Sequence, residues 1–188
     1  MSRRQRTFIG PQGMGGMVSL WGASSLIKSI QYGITVANTA ATATATIVSV
    51  VPENTILFFL GCQSNAATAA GHWAGSCVLT NATTVTTTYQ AATDSRILAF
   101  CAVEYYPGVI RSRQSFSISW SGATSSTATI TEVNIAKTML AFGGMQMYQG
   151  DQNEPGRITL TNATTVTATR GGATGWSTVM PGQAVEFF

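Results

Sequence analysis

The sequence predicts an all-β protein made of two tandem, small antiparallel β-sandwich units that follow an extended N-terminal arm. Short runs in which apolar and polar residues alternate are typical of half-buried strands, and no stretch repeats apolar residues with the 3.6-residue period of a helix. Threonine, whose branched side chain favours strands, occurs 28 times in 188 residues. Several short strands separated by turn residues indicate sandwiches, with either an Ig-like or a jelly-roll-like topology.

The first 26 residues predict an arm that docks on another surface. A glycine-rich segment cannot build its own core, yet this one is too apolar for a solvated tail. We expect it to dock on its own body or on a neighbouring subunit, and we favour the neighbour. Its candidate partner-binding residues are Arg3, Arg4, Arg6, Phe8, Met14, Met17 and Trp21.

An internal repeat organises the remaining chain. Four blocks recur in the same order: 27–31 with 110–114, 44–47 with 127–130, 79–86 with 160–167, and 102–106 with 184–188. The offsets between paired blocks stay between 81 and 83, which indicates a tandem duplication. We therefore divide the chain into the arm at 1–26, a first sandwich at 27–108 and a second at 109–188.

Within each unit, local patterns predict the strands. Alanine alternates with threonine over 41–47, so alanine and Ile47 face one side and threonine the other. The apolar runs at 55–60 and 138–142 predict strands buried on both faces, either inside a sandwich or between subunits. The Leu-Thr-Asn-Ala-Thr-Thr-Val-Thr blocks predict hairpins with Asn81 and Asn162 at their turns.

The charge pattern excludes several classes of protein. Only 9% of the residues are charged, compared with about 25% in ordinary soluble domains. Three of the ten basic residues lie in the first six positions, which leaves seven basic against seven acidic residues. A neutral body argues against nucleic-acid binding, and no uninterrupted apolar stretch predicts a membrane span or a secretory signal. We therefore expect synthesis in the cytoplasm.

Groups that could perform catalysis are sparse. His72 is the only histidine, so a catalytic triad would have a single candidate base; we predict no enzymatic activity, no catalytic residue, no cofactor and no small-molecule substrate. The three cysteines, Cys62, Cys77 and Cys101, lack metal-ligand spacing and are expected to be small buried hydrophobes. Residues 151–154 lack the order of a calcium loop, and we predict no metal site. Glu104 and Glu186 occupy equivalent repeat positions, so duplication explains their recurrence without chemistry.

The repeat resembles one found in virion structural proteins of tailed bacteriophages. The matching residues are 28–31, 44–47, 160–170 and 185–187, and the resemblance covers both units but not the arm. It implies a structural role associated with a phage head or tail, without an activity. The two units depart from the pattern at Tyr89, where the second unit has Arg170, and at Arg113, where the first has Ile30; these changes suggest different neighbours.

Residues and resemblance together predict a non-enzymatic virion protein, either a capsid decoration, a head-accessory protein or a tail component. Its predicted partners are itself, as a dimer or trimer, and other virion proteins such as the major capsid or tail proteins. The alternative is a receptor- or glycan-binding module of a tail or head fibre. Its candidate stacking surfaces are Trp73, Tyr89, Trp120 and Trp176.

Overall fold

The computed structural model describes residues 26–64, 74–89, 95–147, 155–173 and 175–188. Among these residues, six strands belong to the first half of the protein: β1 Ile27–Asn38, β2 Thr42–Thr46, β3 Thr55–Ser64, β4 Gly75–Asn81, β5 Thr84–Tyr89 and β6 Ser95–Tyr105. Seven form the second half: β7 Ile110–Trp120, β8 Ser125–Thr129, β9 Thr138–Phe142, β10 Gln146–Met147, β11 Gly156–Asn162, β12 Thr165–Arg170 and β13 Thr178–Phe187. In the described part of the chain, the only helices are two single 3-10 turns, Pro52–Asn54 and Ile135–Lys137. The predicted all-β class is confirmed.

The strands form four antiparallel sheets, two in each half. Sheet A has the order β1-β6-β3 and sheet B the order β2-β5-β4. In the second half, sheet C places β7 on one side of β13 and both β9 and β10 on the other, while sheet D has the order β8-β12-β11. The strand order is therefore alike in the two halves. The origin of this likeness by duplication, and the division at residues 26 and 108, remain predictions from the sequence.

Sheets A and B enclose the core of the first half. The alternation predicted over 41–47 places Ala43 and Ala45 of β2 against this core, while threonine side chains point outward. Leu57, Leu98 and Phe100 are fully buried residues of sheet A in the same cluster. Sheets C and D enclose a second core, with Ile118, Val166 and Met180 at its centre.

In each half, a glycine and a phenylalanine face each other on two adjacent strands. The strand that carries the glycine in the first half is equivalent to the strand that carries the phenylalanine in the second half. In the first half, Gly33 of β1 pairs with Phe100 of β6, and a Cβ atom on Gly33 would overlap the Phe100 ring. In the second half, Phe116 of β7 pairs with Gly182 of β13, where a Cβ atom would lie 2.6 Å from the Phe116 ring. Each core therefore holds one phenylalanine ring at this position. The ring comes from β6 in the first half and from β7 in the second half.

The two halves pack against each other through sheets A and C. A third cluster joins Ile56 of β3 to Ile110, Ala141 and Val185 of the second half. The backbone links the halves as well, since the Cys77 N–H donates to the Gly143 carbonyl at 2.7 Å and the Met145 N–H donates to the Gly75 carbonyl at 3.0 Å. The second face of the apolar run at 55–60 is thus covered by the other half of the chain around Ile56, whereas Leu60 at the end of the run is 53% exposed. Burial of both faces, as predicted from the sequence, is therefore confirmed only for the first part of this run.

Candidate interaction surface

Glu104 is a buried carboxylate that holds a connecting loop in the first half. It accepts hydrogen bonds from Lys28 Nζ at 2.8 Å, from the Val51 N–H at 3.0 Å and from Ser29 Oγ at 3.2 Å. Burial alone would raise the pKa of Glu104, but these hydrogen bonds and the Lys28 charge outweigh it and hold the pKa below its ordinary value. The carboxylate therefore anchors the loop between β2 and β3.

Glu186 makes the equivalent contacts in the second half. It accepts from the Asn134 N–H at 3.1 Å and from Ser112 Oγ at 3.4 Å, and Arg111 Nη1 lies 3.4 Å from its carboxylate. Among the described residues, the polar partners of Glu104 all lie in the first half and those of Glu186 all lie in the second half. Each of the two carboxylates anchors the loop that precedes a 3-10 turn. This arrangement agrees with the interpretation that their recurrence reflects the repeat.

Other residues of the repeated blocks also hold loops. The Gln31 side chain donates to the Val48 carbonyl at 3.0 Å and accepts from the Val48 N–H at 2.7 Å, and Gln114 clamps Thr131 in the same way. Asn81 ends β4 and accepts from the Thr83 N–H at 2.9 Å, which closes the predicted hairpin turn. Asn162 closes the matching turn in the second half. These residues of the repeated motifs thus form hydrogen bonds that fix loops and turns of the fold.

An arginine covers an aromatic ring at the end of each sandwich. The guanidinium of Arg96 lies 5.6 Å from the centre of the Tyr89 ring, and that of Arg170 lies 5.6 Å from the Trp120 ring. Tyr89 and Trp120 are only 2% and 7% exposed, so they offer little surface to a sugar. Trp176 is 40% exposed, and Trp73 lies outside the described residues.

The cysteines match their predicted role in two of three cases. Cys77 and Cys101 are buried, Cys62 is partly exposed, and all three are free thiols. Burial raises the pKa of Cys62 to about 11, against the opposing effect of the Arg96 charge, and raises that of Cys77 to about 12. Burial also raises the pKa of Cys101. Such thiols are poor nucleophiles because the thiolate is the reactive form.

Several predicted residues lie outside the described part of the chain. These are the seven arm residues Arg3, Arg4, Arg6, Phe8, Met14, Met17 and Trp21, together with His72 and the acidic run at 151–154. Within the described ranges, no group of three or more His, Cys, Asp or Glu side chains could hold a metal ion. The same ranges hold no helix of the length and hydropathy needed to span a bilayer.

Six large apolar side chains lie exposed together on the outer face of sheet A, the face turned away from sheet B. This apolar patch consists of Ile30, Tyr32, Ile34 and Val36 on β1, Leu60 on β3 and Ile97 on β6. Tyr32 is 75% exposed and Ile34 is 60% exposed. Tyr32, Ile34 and Leu60 border a shallow depression of about 360 Å³ above Ala99. Exposed apolar clusters of this kind mark interaction sites.

The equivalent face of the second half is polar. At the repeat offset of 83, the counterparts of Tyr32, Ile34 and Val36 are Ser115, Ser117 and Ser119. These three serines are exposed on β7, as their counterparts are on β1. The fold therefore does not require apolar residues at these positions, and the patch is a property of the first half.

Sequence analysis did not single out the patch. An alignment of 30–36 with 113–119 could have revealed it, because large apolar residues of the first repeat align there with Arg113 and serines of the second. A comparison with known proteins gives no further guidance, because no family model, curated protein or solved structure matches the chain.

Proposed function

We propose that this chain is a non-enzymatic structural protein of a bacteriophage virion: a capsid decoration, a head-accessory protein or a tail component. In this proposal it assembles with itself, as a dimer or trimer, and with other virion proteins such as the major capsid or tail proteins. Its β-sandwich surfaces and its N-terminal arm supply the contacts.

The observation that carries the proposal is the apolar patch on sheet A. Six exposed aliphatic or aromatic side chains on adjacent strands are costly in water and favourable once covered by another protein surface. The low charge of the chain, at 9%, supports the same conclusion, because obligate assemblies bury much of the surface that charges would otherwise keep soluble.

The buried carboxylates and clamping glutamines give further support to a structural role. Glu104, Glu186, Gln31 and Gln114 each form a hydrogen bond with the backbone of a loop. These residues belong to the repeat that resembles phage virion proteins. The two buried carboxylates thus stabilise the fold, and the surface that stands out is apolar.

Purified particles test the proposal. We expect the chain to remain with phage particles through density-gradient purification. Mass spectrometry of these particles should give a copy number that is a multiple of the number of subunits in a symmetric ring or shell. Gold-labelled antibody on the same particles should mark the head or the tail. The isolated chain should give a dimer or trimer mass by light scattering. A chain absent from particles and monomeric at high concentration would contradict the proposal.

A further inference from the structure

The apolar patch lies on the half of the protein whose first strand is preceded by a long segment. Residues 1–25 lead into β1, whereas only residues 106–109 connect β6 to β7. The half with the preceding segment has the apolar face, and the half without it has Ser115, Ser117 and Ser119. The segment carries large apolar residues that match such a face: Phe8, Ile9, Met14, Met17, Val18, Leu20 and Trp21.

The size of the patch favours an extended segment over a second flat sheet as its occupant. Its six side chains expose the equivalent of about three whole large side chains, on the order of 500 Å². A stable interface buries about 800 Å² on each partner. An extended segment can add contacts beyond the patch, because among the described strands β1 pairs only with β6 and its other edge can accept a further strand.

The direction in which the chain enters β1 favours a second copy as the source of that segment. The Tyr106 N–H donates to the Leu26 carbonyl at 3.0 Å, one step beyond the Ile27–Tyr105 pair. At Leu26 the chain therefore still runs in line with β1, at the end of the strand farthest from Val36. To cover its own patch the segment would have to turn back before it reaches Leu26, whereas the segment of a neighbour can approach the patch without such a turn.

We propose that residues 1–25 of a second copy of this chain bind across the apolar patch, with an aromatic or methionine side chain in the depression between Tyr32, Ile34 and Leu60. This inference rests on the self-assembly in the proposed function and names the surface that receives the arm. A buried anchor side chain in a central depression is the usual source of binding energy in such contacts. None of the six patch residues is charged, so the contact is dominated by apolar burial.

Light scattering on three full-length double variants tests the proposal. The patch variant, Tyr32→Ser with Ile34→Ser, installs the residues of the second half; the arm variant is Met17→Ser with Trp21→Ser; the matched control is Ser115→Ala with Ser117→Ala. We expect both the patch and the arm variants to dissociate at concentrations at least tenfold above the wild type, and the control to behave as the wild type. Unchanged circular dichroism and melting temperature would show that all three remain folded.

Photo-cross-linking identifies the occupant directly. A photoreactive benzoylphenylalanine at position 32 is placed in a mixture of unlabelled and ¹⁵N-labelled full-length chains. We expect cross-linked peptides that join position 32 of one chain to residues 1–25 of a chain with the other label. Cross-links confined to one chain, or directed at another region of the second copy, would overturn the proposal.

The two proposals fail in different ways. An oligomer that survives both the patch and the arm substitutions would overturn this inference and leave self-assembly intact. A wild-type chain that is monomeric at high concentration, with position 32 cross-linked to its own arm, would overturn this inference together with the self-assembly on which it rests.

Discussion

Glu104 illustrates how one buried carboxylate determines the path of a loop. Three donors from β1 and from the loop after β2 converge on it, and its side chain is only 3% exposed. Because the folded pKa lies below the ordinary value of 4.5, the ionised form stabilises the folded state at pH values above 4.5. That stabilisation is lost as the pH falls through the folded pKa.

A Glu104→Gln variant therefore has a pH-dependent defect. We expect it to lower the free energy of unfolding at pH 7 by about 2 kcal/mol, because hydrogen bonds to a charged group are lost. The difference from the wild type should shrink as the pH falls from 4.5 toward 2, where the native carboxyl is itself protonated. Urea unfolding at pH 7, 4 and 2.5 measures this, with the exposed Glu132→Gln as control. A defect independent of pH would contradict the assignment.

The exchanged Gly33–Phe100 and Phe116–Gly182 pairs show a second residue-scale effect, in which one ring fills a fixed space from either strand. Phe100→Gly alone should lower the free energy of unfolding by about 3–5 kcal/mol through the cavity it opens. Gly33→Phe alone should lower it by about 1–3 kcal/mol through overpacking.

Combining the two substitutions reproduces the arrangement of the second half. We expect Gly33→Phe with Phe100→Gly to lose at least about 1 kcal/mol less than the sum of the single losses, since the new ring occupies the vacated space. Guanidinium unfolding of the wild type, both singles and the double variant gives the coupling energy. Strictly additive losses would show that the ring cannot be supplied from β1.

Among the elements, β2 and β1 show where sequence patterns succeed and where they mislead. Alternation over 41–47 predicted β2 and its inward alanines correctly. On β1, alternation alone would place the large residues inward. The structure instead turns Gly33, Thr35 and Ala37 toward sheet B and exposes Ile30, Tyr32, Ile34 and Val36.

The physical reason for the reversed β1 lies in residues from other strands. The Phe100 ring occupies the space beside Gly33, and the Thr35 hydroxyl hydrogen-bonds Thr87 at 2.8 Å and Tyr89 at 3.3 Å inside the core. Neither partner could be identified from β1 itself. The hairpins at Asn81 and Asn162 were predictable because their turns depend on adjacent residues, whereas the apolar patch depends on pairings about 65 residues apart, such as Ile34 with Ala99.

At the scale of the whole molecule, we expect the contact between sheets A and C to make the two halves unfold as one unit. Ile56 is fully buried there among Ile110, Ala141 and Val185, and the Gln183 side chain accepts from the Leu57 N–H at 3.2 Å. Burial of apolar residues from both halves in one cluster couples their stabilities.

Ile56→Ala should therefore weaken both halves together. We expect the free energy of unfolding to fall by about 2–5 kcal/mol, with a single transition and a similar loss of amide-exchange protection in β5 and β12. The matched control is Ile135→Ala, at an exposed site outside the apolar patch, which should change stability by less than about 0.5 kcal/mol. Two separate transitions, or a loss of protection confined to the first half, would show that the halves unfold independently.

The exchanged glycine and phenylalanine also bear on how a chain with two similar halves avoids pairing its strands wrongly. If β7 took the place of β1 beside β6, Phe116 would face Phe100 and two rings would compete for one space. If β1 took the place of β7 beside β13, Gly33 would face Gly182 and leave a hole in the core. Both incorrect pairings would lower the stability of the fold, the first through a steric clash and the second through a cavity. A pair of residues that looks like a packing detail thus helps each strand to recognise its own partner during folding, both within one chain and between crowded copies of it.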